Sequence, residues 1–254
     1  AAVNTVDLLD AGLPGPVSGA FSTRRGGTSR PPYDGLNLGY HVGDDWHTAF
    51  ANRGLLAAAV GVPLERHSFA QQTHGDGVLV ISPQRVGAAT LRRGARGVDA
   101  LVTAAVDAPL VILVGDCVPV LLADPQAGVI AAAHAGRRGL VAGVVPRTVE
   151  SMVALGADPA RVAARLGPSI CGQCYELPTQ MAHEVDAAVP GSLSTTRSGT
   201  PGADIAAGVL AQLAAAGVRD VVGPAACTVE DDRFYSHRRD GVTGRFAGVV
   251  WLTA

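Results

Sequence analysis

Two imidazoles and one thiol stand out in this 254-residue chain: His74 in QTHGDGV, Cys117 in VILVGDCVPVLLAD and His134 in VIAAAHAGRRG. Each lies in an apolar or Gly-rich stretch that reads as the mouth of a strand, where backbone can approach a ligand closely. Two nitrogens and a thiolate suit a catalytic zinc that keeps one coordination position for water or substrate. The three residues are far apart along the chain, whereas a structural zinc module carries four ligands in pairs two to four residues apart. The fold itself would have to assemble such a site. Taken singly, each residue also fits a buried Cys or a satisfied structural His. Taken together, their shared setting points to an enzyme with His74, Cys117 and His134 as metal ligands and catalytic groups.

The elements that must position them are partly readable. PLVILVGDCVPVLLAD has two apolar runs split by Gly-Asp-Cys-Val-Pro, and AGVIAAAHAGRRG follows after Asp-Pro-Gln. This predicts two buried strands joined by a tight turn, with Cys117 at an interruption in the first and His134 at the end of the second. Helical spacing covers 139–155, with Pro146 as an early kink or start, and a strand follows at 161–170. Further helices are predicted at 49–60, 178–188 and 203–216. The polar segment 189–202, VPGSLSTTRSGTPG, reads as a solvated loop, with a lid as the alternative. No repeat or shift in composition divides the chain, so one domain over 1–254 is expected.

Composition narrows the function classes. The chain is long enough for one large core, and a 48% hydrophobic content with few aromatics describes a compact fold, not a disordered one. A formal net charge of −2 gives no general attraction to nucleic acid or anionic lipid, so neither is an expected partner. The basic run YSHRR at 235–239 is too short to change that, and any anion site should be local. Four Cys without a regular framework imply reduced thiols and a cytoplasmic location. The opening stretch AAVNTVDLLDAGLPG has neither a basic start nor a sustained apolar run, so no signal peptide and no membrane span are expected.

Eight blocks occur in order: FSTRRGG, LNLGYHVGDD, NRGLL, QTHGDGV, GDCVPVLLAD, HAGRRGL, LGPSICGQCYEL and CTVEDDRFYSHRRDGVTGRFAG. In these blocks the chain resembles the YfiH type of laccase-domain proteins, called multi-copper polyphenol oxidases in older usage and purine nucleoside phosphorylases in newer usage. The resemblance implies an α+β (mixed α/β) fold, a four-layer α/β/β/α sandwich of two related halves, with metal on His74, Cys117 and His134. It also implies phosphorolysis of adenosine, inosine and S-methyl-5'-thioadenosine, with some adenosine deamination. Where the family usually reads His-Ala-Gly-Trp-Arg-Gly, this chain has Arg137 at the Trp position. That changes the packing beside a metal ligand, while Arg138 keeps the basic position that follows.

Phosphorolysis passes through a cationic sugar as phosphate attacks and the base departs, so the site needs an anion clamp. The Arg fork matches phosphate oxygens best, which makes Arg24, Arg138, Arg238 and Arg239 candidates, Arg24 and Arg138 foremost. Asn37, His41 and Gln72 add amides and an imidazole for substrate or phosphate. Gln72, Asp76 and Asp116 are also near enough in sequence to support the ligands. Zinc is the expected cofactor, with copper as the alternative, and zinc would acidify a water to a pKa of roughly 7 for deamination. Purine nucleoside and phosphate are the expected partners. Monomer and homodimer are both compatible with the sequence.

Three rival readings remain open. A copper-dependent polyphenol oxidase needs a blue site plus an imidazole-rich three-copper cluster, and seven His without repeated His-x-His pairs suit it poorly. Cys117 could instead be a nucleophile activated by His134 or His74, in a hydrolase acting on peptidoglycan precursors. A purine-binding or metal-binding module without turnover would use the same pocket. CGQC at 171–174 has the spacing of a redox pair or half a zinc site, but there is no second CxxC and no thioredoxin-like context. It reads as two thiols near a loop.

Overall fold

Residues 118–124 and 129–135 are apolar except at Asp124 and His134, and they pair antiparallel as β8 (Val118–Asp124) and β9 (Val129–Ala135). Every residue of both strands is buried. Both faces of their sheet are therefore covered, which is why the sequence shows continuous apolar runs in place of alternation. The computed structural model describes residues 5–87 and 94–253; the first four residues of the opening stretch lie outside them. Among the described residues the pair sits at the centre of a six-stranded sheet. Its other strands are β4 (Val78–Ile81), β6 (Ala100–Thr103), β10 (Ala163–Leu166) and β13 (Asp220–Val222), in the order β13-β10-β8-β9-β6-β4.

A second six-stranded sheet runs β1-β2-β14-β7-β3-β5. It is built from β1 (Leu8–Asp10), β2 (Val17–Ser22), β3 (Ser68–Gln71), β5 (Ala95–Arg96), β7 (Leu110–Val114) and β14 (Phe246–Leu252). Alternation along the strands divides the core into three layers. Leu121, Ala123, Ile130 and Ala132 meet Ile112, Val114, Phe246 and Val250 between the sheets. The intervening residues Val111, Leu113, Ala247 and Val249 pack on Leu56 and Val60 of α1 (Trp46–Val60). On the far side, Val120, Leu122, Ala131 and Ala133 pack under α2 (Arg137–Ala142), α3 (Val144–Ala154), α4 (Thr179–Ala188) and α5 (Ile205–Ala215). The result is the mixed α/β sandwich, helix on sheet on sheet on helix, that the resemblance implies.

Element boundaries follow local chemistry. α1 begins at Trp46, earlier than position 49, because the Asp45 carboxylate accepts the Thr48 N–H and caps the helix there. The expected helix over 139–155 is broken into α2 and α3 at Gly143, whose φ of 89° only glycine adopts freely, and Pro146 falls in the first turn of α3. α5 starts at Ile205 on an Asp204 cap. No helix among the described residues is long and apolar enough to cross a membrane.

Two expectations need correction. The interruption around Cys117 is not a break within one strand but a crossing, since β7 and β8 belong to different sheets. Segment 189–202 is not a bare loop. β11 (Leu193–Thr195) and β12 (Pro201–Ala203) pair there as a small antiparallel ladder, whose short polar strands bury little beyond Gly202 and Ala203 and so give no hydrophobic alternation to read.

Candidate metal centre and substrate cavity

His74, Cys117 and His134 converge. His74 follows β3, Cys117 lies in the crossing between β7 and β8, and His134 is the penultimate residue of β9. His74 Nε2 and Cys117 Sγ are 3.8 Å apart, and the two imidazole rings stand edge to face with centroids 4.7 Å apart. One nitrogen or sulfur from each of the three lies within 4.8 Å of the others. A tetrahedral zinc with ordinary bond lengths needs ligand separations of about 3.3 to 3.6 Å, so a slight contraction would close the trio on a cation. Gly136 keeps the space open: a Cβ there would come within 2.9 Å of both Cys117 Sγ and His74 Cδ2. The donor set and this glycine fit a resident zinc.

Asp99 organises the ligands, and sequence reasoning missed it. Fully buried at the head of β6, it accepts from His134 Nδ1 at 2.8 Å and from the backbone N–H groups of Thr73, His74 and Gly75 at 3.1, 2.9 and 2.8 Å. Burial alone would raise its pKa, but these donors hold it down to about 2. An ionised carboxylate only accepts, so His134 carries a proton on Nδ1 and presents Nε2 to the site, where a metal would take the place of the second ring proton. The same carboxylate fixes the loop in which His74 takes the left-handed φ of 60°. The one available signal was an acidic residue, in GVDALV, directly ahead of a wholly buried strand.

The trio is also electrostatically paired. Burial pushes the Cys117 thiol up, but the His134 charge beside it and hydrogen bonds from His134 and His74 bring it down to about 6. Burial works to lower His134, and the Cys117 thiolate and Asp99 raise it to about 9. Thiolate character at Cys117 is what a metal ligand requires.

The trio forms part of the wall of a cavity of about 710 Å³, within the usual range for small-molecule sites. Of the sequence-predicted binding residues, His41, Gln72, Arg138 and Arg238 line it. Gln72 holds β7 at the cavity edge, donating from Nε2 to the Leu113 carbonyl and accepting the Leu113 N–H. Arg238 stacks over the Tyr175 ring at 4.9 Å and donates to the Glu176 carbonyl.

Arg24, Asn37 and Arg239 are not brought to the cavity. Arg24 pairs with Asp34 at 2.7 Å and lies over Tyr235. Arg239 is occupied by Asp240 and the carbonyls of Thr228 and Phe234. Asn37 is buried and ties Gly39, Asp44 and the Arg245 N–H together.

Asp76 pairs with Arg147. Asp116, at a φ of 108°, accepts from Thr228 Oγ1 and the Arg238 N–H, each at 2.6 Å. It braces the loop that carries Arg238, and among the described residues its side chain has no hydrogen bond to His74 or His134.

The structure adds residues that sequence reasoning did not select. Arg137, at the position where Trp was expected, lines the cavity beside the Tyr175 hydroxyl. Arg53, Tyr40, His237 and Arg245 line it as well. Arg53 and Arg245 sit inside the NRGLL and TGRFAG blocks, where their neighbours gave no sign that the side chains turn inward.

Comparison with known proteins shows the family and the fold. A family model described as multi-copper polyphenol oxidoreductase laccase matches residues 18–253. A protein of Streptomyces coelicolor named purine nucleoside phosphorylase is 51% identical over 239 residues, covering 93% of this chain and 97% of its own. One of the same name from Mycobacterium tuberculosis is 48% identical over 231 residues, covering 91% of this chain and 90% of its own. Among solved structures, YlmD from Geobacillus stearothermophilus superposes with a TM-score of 0.90 at 30% identity, covering 97% and 96% of the two chains. Bacillus licheniformis YfiH, described as a hypothetical protein, gives 0.85 at 29% identity with 93% of each chain covered.

Proposed function

The chain belongs to the multi-copper polyphenol oxidoreductase laccase family, and from that membership and the geometry above we propose that it is a zinc-dependent purine nucleoside phosphorylase. Its substrates on this reading are adenosine, inosine and S-methyl-5'-thioadenosine with phosphate, and its products the free base and the 1-phosphate of ribose or methylthioribose. Relatives near 50% identity that carry the name support the reaction class. The observation that carries the proposal is the convergence of His74, Cys117 and His134 in the wall of a cavity that is also lined by Arg137, Arg138, Arg238 and Arg245.

In the reaction a phosphate oxygen bonds to the anomeric carbon while the bond to the base nitrogen breaks, and the departing electron pair must be met by a proton. These four guanidinium groups, with Arg53 as a fifth in the same wall, suit the phosphate dianion and the charge that migrates to the leaving base. Tyr175, with Arg238 over one face of its ring and Arg137 at its hydroxyl, offers its other face to a purine. Asp99 keeps His134 in the tautomer that ligation requires. When bound, zinc on His74, Cys117 and His134 supplies Lewis acidity and an acidified water, chemistry that would also serve adenosine deamination.

Incubation with inosine and phosphate, followed by chromatography for hypoxanthine, tests the proposal. Release that depends on phosphate and is lost in Cys117→Ala is the expected result; no release, or release indifferent to phosphate, would overturn it.

The Cys117 nucleophile reading keeps one specific support, the polarised Cys117 and His134 pair. Stoichiometric zinc on the trio of gently purified protein would exclude a free thiolate there. Copper at the same three ligands is the alternative cofactor. The polyphenol oxidase reading has less to draw on: among the described residues, the other group of clustered ligand-type side chains contains no imidazole from which to build a three-copper site.

A further inference from the structure

Cys171 and Cys174 acquire partners that sequence spacing did not show. Cys227 and Glu230, more than fifty positions further on, come to the same point, and one ligand atom from each of the four lies within 4.8 Å of the others. The four belong to two short turns that face each other. In the first, the N–H groups of Cys174 and Tyr175 both bond the Cys171 carbonyl at 3.0 Å, so the Cys-x-x-Cys side chains converge. In the second, the N–H groups of Glu230 and Asp231 bond the Cys227 carbonyl at 3.1 and 2.9 Å, which does the same for Cys-x-x-Glu. The half-site that CGQC resembles is therefore completed by an unrelated-looking segment, with a carboxylate where a fourth thiolate would stand.

We propose that Cys171, Cys174, Cys227 and Glu230 form a second, structural zinc site, separate from the His74, Cys117 and His134 centre. Three sulfurs and one carboxylate oxygen make a closed four-ligand set of types that zinc accepts, and both pairs have the two-residue spacing of structural sites. The Cys171 N–H points at Cys227 Sγ at 3.4 Å, and Cys174 Sγ lies 3.6 Å from Glu230 Oε1. Arg197 forms an ion pair with Glu230, which places a cation beside a cluster that carries excess negative charge once its thiols ionise on a metal. Arg197 arrives from the turn between β11 and β12, held by its own N–H to the Gln173 carbonyl, while Ser194 Oγ bonds the Gly172 carbonyl. The small ladder over 193–203 thus forms a buttress against the first turn. The four ligand side chains are partly accessible, so a metal can reach them.

The site would staple a segment that walls the substrate cavity to one that braces another part of that wall. The first turn leads directly into Tyr175, and Thr228, next to Cys227, bonds the Asp116 carboxylate that also holds the N–H of Arg238. A redox disulfide is the rival use of these thiols, and it gives no role to the third sulfur or the carboxylate.

Metal counting by mass spectrometry on the purified whole chain separates the outcomes without reading activity. Wild type is expected to hold two zinc ions per chain and Cys117→Ala to retain one. Cobalt substituted into Cys117→Ala should show thiolate-to-cobalt charge transfer, lost on adding Cys174→Ser and weakened on adding Glu230→Gln. A Cys117→Ala protein that folds and holds no metal would overturn the proposal, as would a disulfide among Cys171, Cys174 and Cys227 in protein isolated under reducing conditions. Should Cys174→Ser fail to fold, the count on Cys117→Ala still decides. One zinc in wild type that survives Cys117→Ala would sink the metal centre of the preceding section and leave this site standing.

Discussion

Replacing Asp99 by Asn changes no volume and tests whether this carboxylate sets the ligand chemistry. Its Oδ1 accepts from His134 Nδ1 and the His74 N–H, and its Oδ2 accepts from the Thr73 and Gly75 N–H groups and from Thr73 Oγ1. An amide must put its NH2 on one side or the other. On the Oδ1 side it faces the His74 N–H donor and turns His134 Nδ1 into an acceptor, which moves the ring proton to Nε2, where the metal would bind. On the Oδ2 side it leaves two part-buried backbone donors unpaired, at about 1 to 3 kcal/mol each. The less costly orientation therefore loses about 2 kcal/mol, which agrees with the roughly 10- to 100-fold loss of metal affinity typical when a ligand's supporting carboxylate is altered.

Zinc affinity measured against a chromophoric chelator should fall by that factor in Asp99→Asn, and the metal-free protein should melt about 4 to 8 °C lower. Nitrogen NMR of His134 would identify the tautomer. Zinc affinity within a factor of two of wild type, with an unshifted melt, would refute the assignment of Asp99 as organiser.

Four further substitutions probe separate parts of the site and fold. Gly136→Ala should weaken zinc binding at least tenfold, because its Cβ must displace Cys117 Sγ and His74 from 2.9 Å contacts; calorimetric titration showing wild-type affinity would mean the trio lies elsewhere in solution. Arg138→Met should raise the KM for phosphate by roughly tenfold, the loss of one charge-assisted bond of about 1.5 kcal/mol, whereas Arg24→Met, already paired with Asp34, should leave it within twofold. The reverse ranking in steady-state kinetics would contradict the placement of the clamp. His67 is buried, and that burial lowers its pKa from 6.5 to about 4. The unfolded chain therefore takes up the proton first as pH falls, and this contribution to stability, complete above 6.5, is lost between 6.5 and 4, to a total of about 3 kcal/mol. Urea unfolding of His67→Gln should lose less stability than wild type between pH 7 and 5, and parallel losses would show that His67 is not the group responsible.

The three ligands were legible because each stood in a setting that demanded explanation: a Cys interrupting an apolar run, and a His at each of two Gly-rich strand ends. Asp99 was not, because all the partners of its carboxylate lie 24 to 35 positions away and only the fold brings them together. The Arg assignments divided for a related reason. A guanidinium fork serves a carboxylate or a row of carbonyls as well as a phosphate, so sequence alone could not show that Arg24 and Arg239 were occupied while Arg137 and Arg245 faced the cavity. The crossing at Cys117 was hidden because strands buried on both faces read as one continuous apolar run whichever sheet they join. The second cysteine cluster was half visible. CGQC declared itself, but Cys-x-x-Glu carries no signal until it stands opposite.

Why the centre forms where it does follows from that crossing. β7 ends at Val114 in one sheet and β8 begins at Val118 in the other, so three residues must span packed sheets about 10 Å apart, close to the reach of a fully extended chain. Regular strand geometry would carry the chain straight on within its own sheet. The left-handed φ of 108° at Asp116 redirects it and delivers Cys117 to the cavity. Such a conformation costs a non-glycine residue of order 1 to 3 kcal/mol, and the two 2.6 Å bonds to the Asp116 carboxylate offset it. His74 is itself left-handed, and the buried Asp99 carboxylate holds its N–H. Two of the three ligands thus depend on backbone that is strained locally and over-determined by its surroundings, whereas His134 sits on an unstrained central strand. The rigid strand sets the position of the centre, and the two braced turns bring the other ligands to it.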